Sequence, residues 1–352
     1  MEQRQLGASG LRVPALSLGT MGFGAASGQF ANVGLVDLPT ARRQVDMCLD
    51  AGVTLIDTAD VYSAGASEEI VGKALGGRRD RMLLATKVRF TMGEGPNDAG
   101  LSCHHVIEGC EASLRRLGVD HIDLYQLHEW DGQTPIEETL EALELLVQSG
   151  KVRYVGCSNY TAWQMVKALG IAEARRLPRF VSTQVYYSLQ ERSIEHEVLP
   201  ACLDRGLGVL VWSPLAGGLL SGKYRRGQPA PEGARHLTEW SEPPVYDEDK
   251  LYDTIELLVE IADGHGVSAA QVALAWLLRR PGISTLVIGA RTEEQLADNL
   301  KAAKLQLGDE EVRRLDEVSR PPLPYPLWHQ ANSATDRLGP ADLAVLGPHL
   351  DG

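Results

Sequence analysis

Eight short apolar runs, each followed by a segment of helical spacing, constrain this chain more than any other feature. The runs are Ala15–Leu18, Val53–Ile56, Met82–Lys87, Ile122–Leu127, Val152–Cys157, Phe180–Val185, Gly208–Trp212 and Thr285–Ile288. Between and after them, helical periodicity covers Thr40–Leu49, Ser67–Leu75, Ser102–Leu117, Pro135–Val147, residues 160–169, Ser193–Asp204, 249–263, 268–279, 292–303 and 308–319. Eight strand–helix repeats are the count of an α/β (β/α)8 TIM barrel, whereas an open doubly wound sheet more often has about five to seven strands. One barrel domain over residues 1–320 is therefore expected, with a small N-terminal hairpin at residues 4–13 turning at Gly7-Ala8-Ser9-Gly10.

In such a barrel the loops after the strands gather on one face, where catalytic residues sit. Two of these loops, Val88–Leu101 and Lys223–Asp247, exceed the usual length, and both are expected to border a pocket. The Pro-rich tail at residues 321–352, with Tyr325, Trp328 and His329, is expected to fold over that face as a lid.

Composition narrows the class of function. A net charge of −13 argues against general affinity for nucleic acid, which depends on neutralising phosphates with Lys and Arg. No apolar run approaches a membrane span, and the polar start Met1-Glu2-Gln3-Arg4-Gln5 lacks a signal-peptide core, so a cytoplasmic chain is expected. Five scattered cysteines without a Cys-x-x-Cys motif fit reduced thiols. Cys103-His104-His105 with Cys110 supplies zinc-ligand types, but they lie on one helical segment whose spacing does not assemble a tetrahedral site, and no metal is expected.

The polar residues at or just past the strand ends are Thr20, Asp57 with Tyr62, Lys87, His128, Ser158-Asn159, Gln184, Trp212-Ser213 and Gly289-Ala290-Arg291. Singly each has an ordinary structural role, as a cap, a surface cation or a loop histidine. Together an acid, a phenol, an amine and an imidazole on one rim make a proton-transfer set.

The chain resembles the aldo-keto reductase superfamily along most of its length. The resemblance runs through Leu18-Gly19-Thr20, Asp57-Thr-Ala-Asp-Val-Tyr62, Ala85-Thr86-Lys87, Asp123-Leu-Tyr-Gln-Leu-His128 and Gly156-Cys-Ser-Asn159 to Asn299. Trp212-Ser-Pro-Leu-Ala216 and Ser221-Gly-Lys223-Tyr224 are similar to the branch holding potassium-channel β subunits and bacterial general-purpose reductases.

The resemblance implies an oxidoreductase that interconverts carbonyls and alcohols, with a catalytic tetrad on Asp57, Tyr62, Lys87 and His128. Tyr62 would be the proton donor, its phenol pKa lowered from about 10 by Lys87. Asp57 would keep Lys87 charged, and His128 would hydrogen-bond the substrate oxygen or Tyr62. The implied hydride carrier is NADP(H) rather than NAD(H). Gly19-Thr-Met-Gly22-Phe-Gly24 has the wrong spacing for a Rossmann fingerprint, so the dinucleotide is expected to lie extended over the barrel.

By the same resemblance Gly19, Thr20, Met21 and Asp57 border the cofactor, Ser158, Asn159 and Gln184 hold the carboxamide, and Trp212 stacks on the nicotinamide. Ser213, Pro214, Leu215, Ala216, Gly217 and Lys223 would wrap the pyrophosphate. Gly289, Ala290, Arg291, Gln295, Asp298 and Asn299 fall at the adenosine end, where Arg291, Gln295 and Asn299 recur every four residues about a helix start. Some members carry an Arg at the position of Gln295 to grip the 2′-phosphate; here Arg291 and Arg235 are the candidate cations. Ser63 follows Tyr62 where many relatives have Gly.

The substrate, a small carbonyl or alcohol, is expected among Phe23, Tyr62, Val88, Phe90, His128, Glu129, Trp130 and Trp328. Which carbonyl it is, and whether the chain is a monomer or a homo-oligomer, the sequence leaves open. Two rival functions stand beside this one: a regulatory protein that keeps the cofactor as a redox sensor, and a glycosidase using paired carboxylates on the same fold.

Overall fold

The computed structural model describes residues 1–24, 36–229 and 243–350. The chain begins with an antiparallel hairpin, β1 (Gln3–Gln5) and β2 (Arg12–Pro14), that buries Leu6 and Val13. Gly7, at φ +58°, touches the barrel wall so closely that a Cβ would lie 2.5 Å from the Gly206 carbonyl oxygen, so only glycine fits the turn.

Eight parallel strands follow: β3 (Leu16–Gly19), β4 (Leu55–Asp57), β5 (Leu83–Val88), β6 (Ile122–Leu127), β7 (Val152–Ser158), β8 (Ser182–Tyr186), β9 (Gly208–Trp212) and β10 (Ile283–Ile288). Each pairs with its neighbours in chain order and β10 closes on β3, giving the expected (β/α)8 barrel. Helices pack outside it: α1 (Leu38–Asp50), α2 (Ala66–Leu75), α3 (Cys103–Leu117), α4 (Ile136–Gln148), α5 (Ala162–Arg175), α6 (Val198–Arg205), α7 (Glu248–His265), α8 (Ala269–Leu278), α9 (Glu293–Lys301) and α10 (Asp309–Val318). Local chemistry sets their ends. The Ser102 hydroxyl accepts from the His105 amide to start α3, and Gly118 ends that helix in the left-handed conformation at φ 66°.

Strand alternation divides the barrel interior into two zones. Near the hairpin, Leu55, Ala85, Leu124 and Leu210 cluster with Leu6 and Val13. Two residues further along the same strands stand Asp57, Lys87, Gln126 and Trp212, on the same face of each strand and nearer its C-terminal end. The strands thus close one end with hydrocarbon and deliver polar groups to the other.

Residues Ser193–Asp204, expected as one helix, divide into a single tight turn at Ser193–Glu195 and α6. The Arg192 guanidinium grips both Glu195 oxygens, at 2.8 and 2.9 Å, and holds the turn out of the helical line. The tail carries two further short helices, α11 (Leu327–Ser333) and α12 (Pro340–Leu346). Helix α12 packs on α6 and buries Val345 and Leu346. Among the described residues, no helix is long and apolar enough to cross a membrane.

Candidate active site

The C-terminal mouth of the barrel opens into a cavity of about 930 Å³. At its base Lys87, fully buried, donates from Nζ to Asp57 Oδ1 at 2.5 Å, to the Thr58 carbonyl at 2.8 Å and to Tyr62 Oη at 3.3 Å. Asp57 Oδ2 accepts from Gln184 Nε2 at 2.7 Å and Gln126 Nε2 at 3.1 Å. A buried charge pair is tolerable only when its remaining lone pairs and protons are also satisfied, and here both carboxylate oxygens are. His128 closes the group, with its ring edge-on to Tyr62 (centroids 5.8 Å apart) and to Phe90 (4.8 Å).

Burial works against the Lys87 charge, but Asp57 and Tyr62 outweigh it and hold the ammonium above its ordinary range. Burial also pushes the Tyr62 phenol above its ordinary value, and Lys87 offsets this only in part. The expected net lowering of the Tyr62 pKa is thus corrected: desolvation exceeds the pull of the ammonium, and the phenol carries its proton across the neutral range. Burial, then the charges of Lys87 and Arg89, pushes the His128 imidazole well below its usual value, so it is neutral near pH 7. Its Nδ1 has no hydrogen-bond partner among the described residues.

The loops carrying these groups are strained where they meet the cavity. Ser63 (φ 49°), Ala64 (φ 52°), Asn159 (φ 58°) and Ser213 (φ 49°) all adopt the left-handed conformation without being glycine. Each costs about 1–3 kcal/mol, and such residues persist where surrounding structure over-determines them, commonly at functional sites. Ser63, where many relatives of the motif have Gly, takes the glycine-like backbone and donates from Oγ to the Phe23 carbonyl at 3.3 Å. Asn159 is tied twice, donating from Nδ2 to the His128 carbonyl at 3.2 Å and accepting from Trp212 Nε1 at 2.9 Å. Trp212 in turn lies 4.9 Å from the Tyr186 ring, tilted by 31°.

The expected cofactor residues gather on this cavity. Gly19, Thr20, Met21 and Asp57 line it beside Ser158, Asn159, Gln184 and Trp212. Ser213, Pro214, Leu215, Gly217 and Lys223 extend it along one side, and Gly289, Ala290, Arg291, Gln295, Asp298 and Asn299 form its far end. Ser158 Oγ is buried without a hydrogen-bond partner among the described residues. Thr292 caps α9 by accepting from the Gln295 amide, and Gln295 Oε1 accepts from the Arg291 amide at 2.9 Å. Asp298 receives Ser268 Oγ at 2.5 Å and Gln271 Nε2 at 2.6 Å. Ala216 is buried in the turn after β9 and does not line the cavity, and Arg235 lies outside the described residues.

Of the expected substrate residues, Phe23, Tyr62, Phe90, His128 and Glu129 line the cavity and three do not. Val88 alternates outward from Lys87 and packs towards Gly109 of α3. Trp130 turns to Tyr160 and Trp163, with ring centroids 5.2 and 5.6 Å away. Trp328, on α11, is 48% exposed and lies against Tyr325 and His329.

Two groups escaped the sequence reading. Gln126 looked like part of a buried strand; its position two residues before His128, on the same strand face, was the available signal. Asp60 is fully buried in the segment between β4 and α2, and among the described residues no side chain hydrogen-bonds its carboxylate oxygens. Burial, with the nearby Glu68 charge, pushes its pKa up to about 8. Glu68 itself takes Thr86 Oγ1 at 2.6 Å and Arg116 Nε at 2.7 Å.

Comparison with known proteins agrees with this geometry. The aldo/keto reductase family profile matches residues 15–320. The chain is 43% identical over 329 residues to the uncharacterized oxidoreductase YrpG of Bacillus subtilis, covering 90% of this chain and 96% of that one. It is 38% identical to a probable voltage-gated potassium channel subunit beta of Arabidopsis thaliana, covering 86% and 91% of the two chains. It is 34% identical to the versiconal hemiacetal acetate reductase of Aspergillus parasiticus, covering 93% and 99%. With a buried Asp–Lys–Tyr chain under the mouth of an eight-stranded barrel, and with these relatives, the chain belongs to the aldo/keto reductase family of oxidoreductases.

Proposed function

We propose that the protein is an NADP(H)-dependent oxidoreductase that reversibly reduces aldehydes or ketones to alcohols, with Tyr62 as the proton donor. The observation that carries this reading is Lys87, which contacts both Asp57 Oδ1 (2.5 Å) and Tyr62 Oη (3.3 Å) beneath a cavity large enough for a dinucleotide and a small substrate. A nicotinamide bound there supplies or accepts the hydride. The cavity suits such a group on this chain's own evidence. Ser158 offers a buried hydroxyl with no hydrogen-bond partner among the described residues, Trp212 presents an indole fixed by Asn159 and Tyr186, and Lys223 and Arg291 bring positive charge to the cavity.

Tyr62 is protonated at neutral pH and donates to the substrate oxygen as that oxygen gains negative charge. The Lys87 ammonium stabilises the phenolate left behind, and Asp57 keeps that ammonium charged and aimed. His128, neutral, offers an imidazole hydrogen bond to the same oxygen; donors of this kind bind the developing charge more tightly than the ground-state carbonyl. For alcohol oxidation the same residues work in reverse, with Tyr62 as the base. Arg291, which lines the cavity, would offer a 2′-phosphate the charge that Gln295 lacks.

A second reading is favoured by the potassium-channel β relatives: the same site would sense cofactor redox state for a partner protein. A glycosidase fits less well, because both Asp57 oxygens are taken by Lys87 and two glutamine amides. The deciding experiment follows absorbance at 340 nm across a panel of aldehydes, ketones and alcohols with NADPH and with NADH. Turnover with NADPH exceeding that with NADH is expected. Cofactor binding without turnover of any carbonyl or alcohol would favour the sensor, and stronger use of NADH would overturn the cofactor preference.

A further inference from the structure

Asp57 has two oxygens with different duties. Oδ1 faces the Lys87 ammonium, while Oδ2 is held by two glutamine amides, Gln184 at 2.7 Å and Gln126 at 3.1 Å. Gln184 lines the cavity and stands among the residues proposed to meet the cofactor, so its amide is shared. Gln126 is fully buried, does not line the cavity, and sits directly opposite Lys87 in the β5–β6 register.

The position is an unfavourable one for an amide unless the amide has work there. Among the described residues its buried Oε1 has no hydrogen-bond partner, so one half of the group is left unsatisfied while the other half serves Asp57. Turning the amide over would set Oε1 against the carboxylate, a repulsive contact, which fixes Nε2 as the donor. A residue of the same length without polar atoms would fill the space and spare the unsatisfied oxygen.

We propose that Gln126 is a positioning residue for the proton-transfer group: it keeps the Asp57 carboxylate turned so that Oδ1 stays on Lys87. This rests on the reading of Asp57, Lys87 and Tyr62 given above. Gln126 is the donor to Oδ2 that stays in place whether or not the cofactor engages Gln184. Its influence reaches Tyr62 through Asp57 and Lys87, without contact to substrate or cofactor. The charged and titratable groups around this chain are Lys87 from β5, Tyr62 and Asp60 from the segment after β4, His128 at the end of β6 and Arg89 after β5, with Glu68 and Arg116 behind Asp60.

The test compares full-length Gln126→Met, Gln126→Glu and Tyr62→Phe, measuring the thermal midpoint, the Kd for NADPH, and the pH profile of kcat with a neutral aromatic aldehyde. For Gln126→Met a folded protein with unchanged NADPH Kd is expected, with kcat about tenfold or more lower, the scale of one hydrogen bond to a charged group. That loss should hold at every pH, because methionine offers Oδ2 no donor in any protonation state. Gln126→Glu, when protonated, restores the donor, so its kcat should recover towards wild type at acidic pH and fall as pH rises and the two carboxylates repel. A purely structural role would not make the loss depend on pH in one variant and not in the other. Wild-type kcat and profile in Gln126→Met, or equal losses in both variants at every pH, would overturn the proposal. Full activity in Tyr62→Phe would instead overturn the underlying reading of the tetrad.

Discussion

The two zones of the barrel interior are built from the same strands, two residues apart, and obey different rules. Near the hairpin, Leu55, Ala85, Leu124 and Leu210 fill space with Leu6 and Val13, and their contribution depends on apolar area and volume. At the mouth, Asp57, Lys87, Gln126 and Gln184 form one hydrogen-bonded group in which each member depends on the others. The first zone stabilises the fold by filling volume with hydrocarbon and asks for no polar partner. The second gives up stability to buried charge and orphaned polar atoms, and holds together the groups proposed to transfer the proton.

The largest effect that separates the zones is expected from Lys87→Met. It leaves the Asp57 carboxylate buried without its cation, a loss of about 3–5 kcal/mol in stability. It also removes the group that stabilises the Tyr62 phenolate, so kcat should fall about 10²–10⁴-fold. Adding Asp57→Asn to it should recover part of the stability and none of the rate; recovery of both, by denaturation and steady-state assay, would dissolve the distinction between the zones.

Leu124→Ala is the counterpart in the other zone, two residues before Gln126 on β6. Unfolding in urea should show a loss of about 2–5 kcal/mol, with the pH profile of kcat unmoved. A shifted profile would mean that the hydrocarbon end tunes the chemistry as well.

The effect that shows only as a pH dependence concerns Asp60. Its folded pKa of about 8 stands above the ordinary 3.8, so between those values the unfolded chain releases a proton that the folded chain retains. Stability from this group is therefore fully present below about 4, declines as pH rises, and levels off above about 8. Asp60→Asn should flatten that decline and raise the thermal midpoint at pH 7.5 by several degrees; an unchanged pH dependence would show Asp60 to be ionised in the native state.

The same contrast explains what the sequence made legible. Apolar runs punctuated by capping and turn residues located all eight strands, because burial on both faces leaves a plain apolar signature. Asp57, Tyr62, Lys87 and His128 stood out because the barrel topology makes strand ends informative. Gln126 and Asp60 did not, since a lone polar residue within a buried strand or a polar linker has no signature until its partners are known. The direction of the Tyr62 shift was also missed: the motif supplies the ammonium, but the depth of burial that outweighs it is a property of the folded site. Val88 and Trp130 failed as pocket walls because alternation and aromatic packing turn them away from the cavity.

The central claim is that Tyr62, protonated and backed by the Asp57–Lys87 pair, gives its proton to the carbonyl oxygen. Tyr62→Phe tests it most directly, because it removes one hydroxyl from a ring that keeps its place beside His128. Measured with NADPH and the best carbonyl substrate, kcat should fall about 10²–10⁴-fold while the cofactor Kd stays at the wild-type value. A variant that retains wild-type kcat would contradict the account.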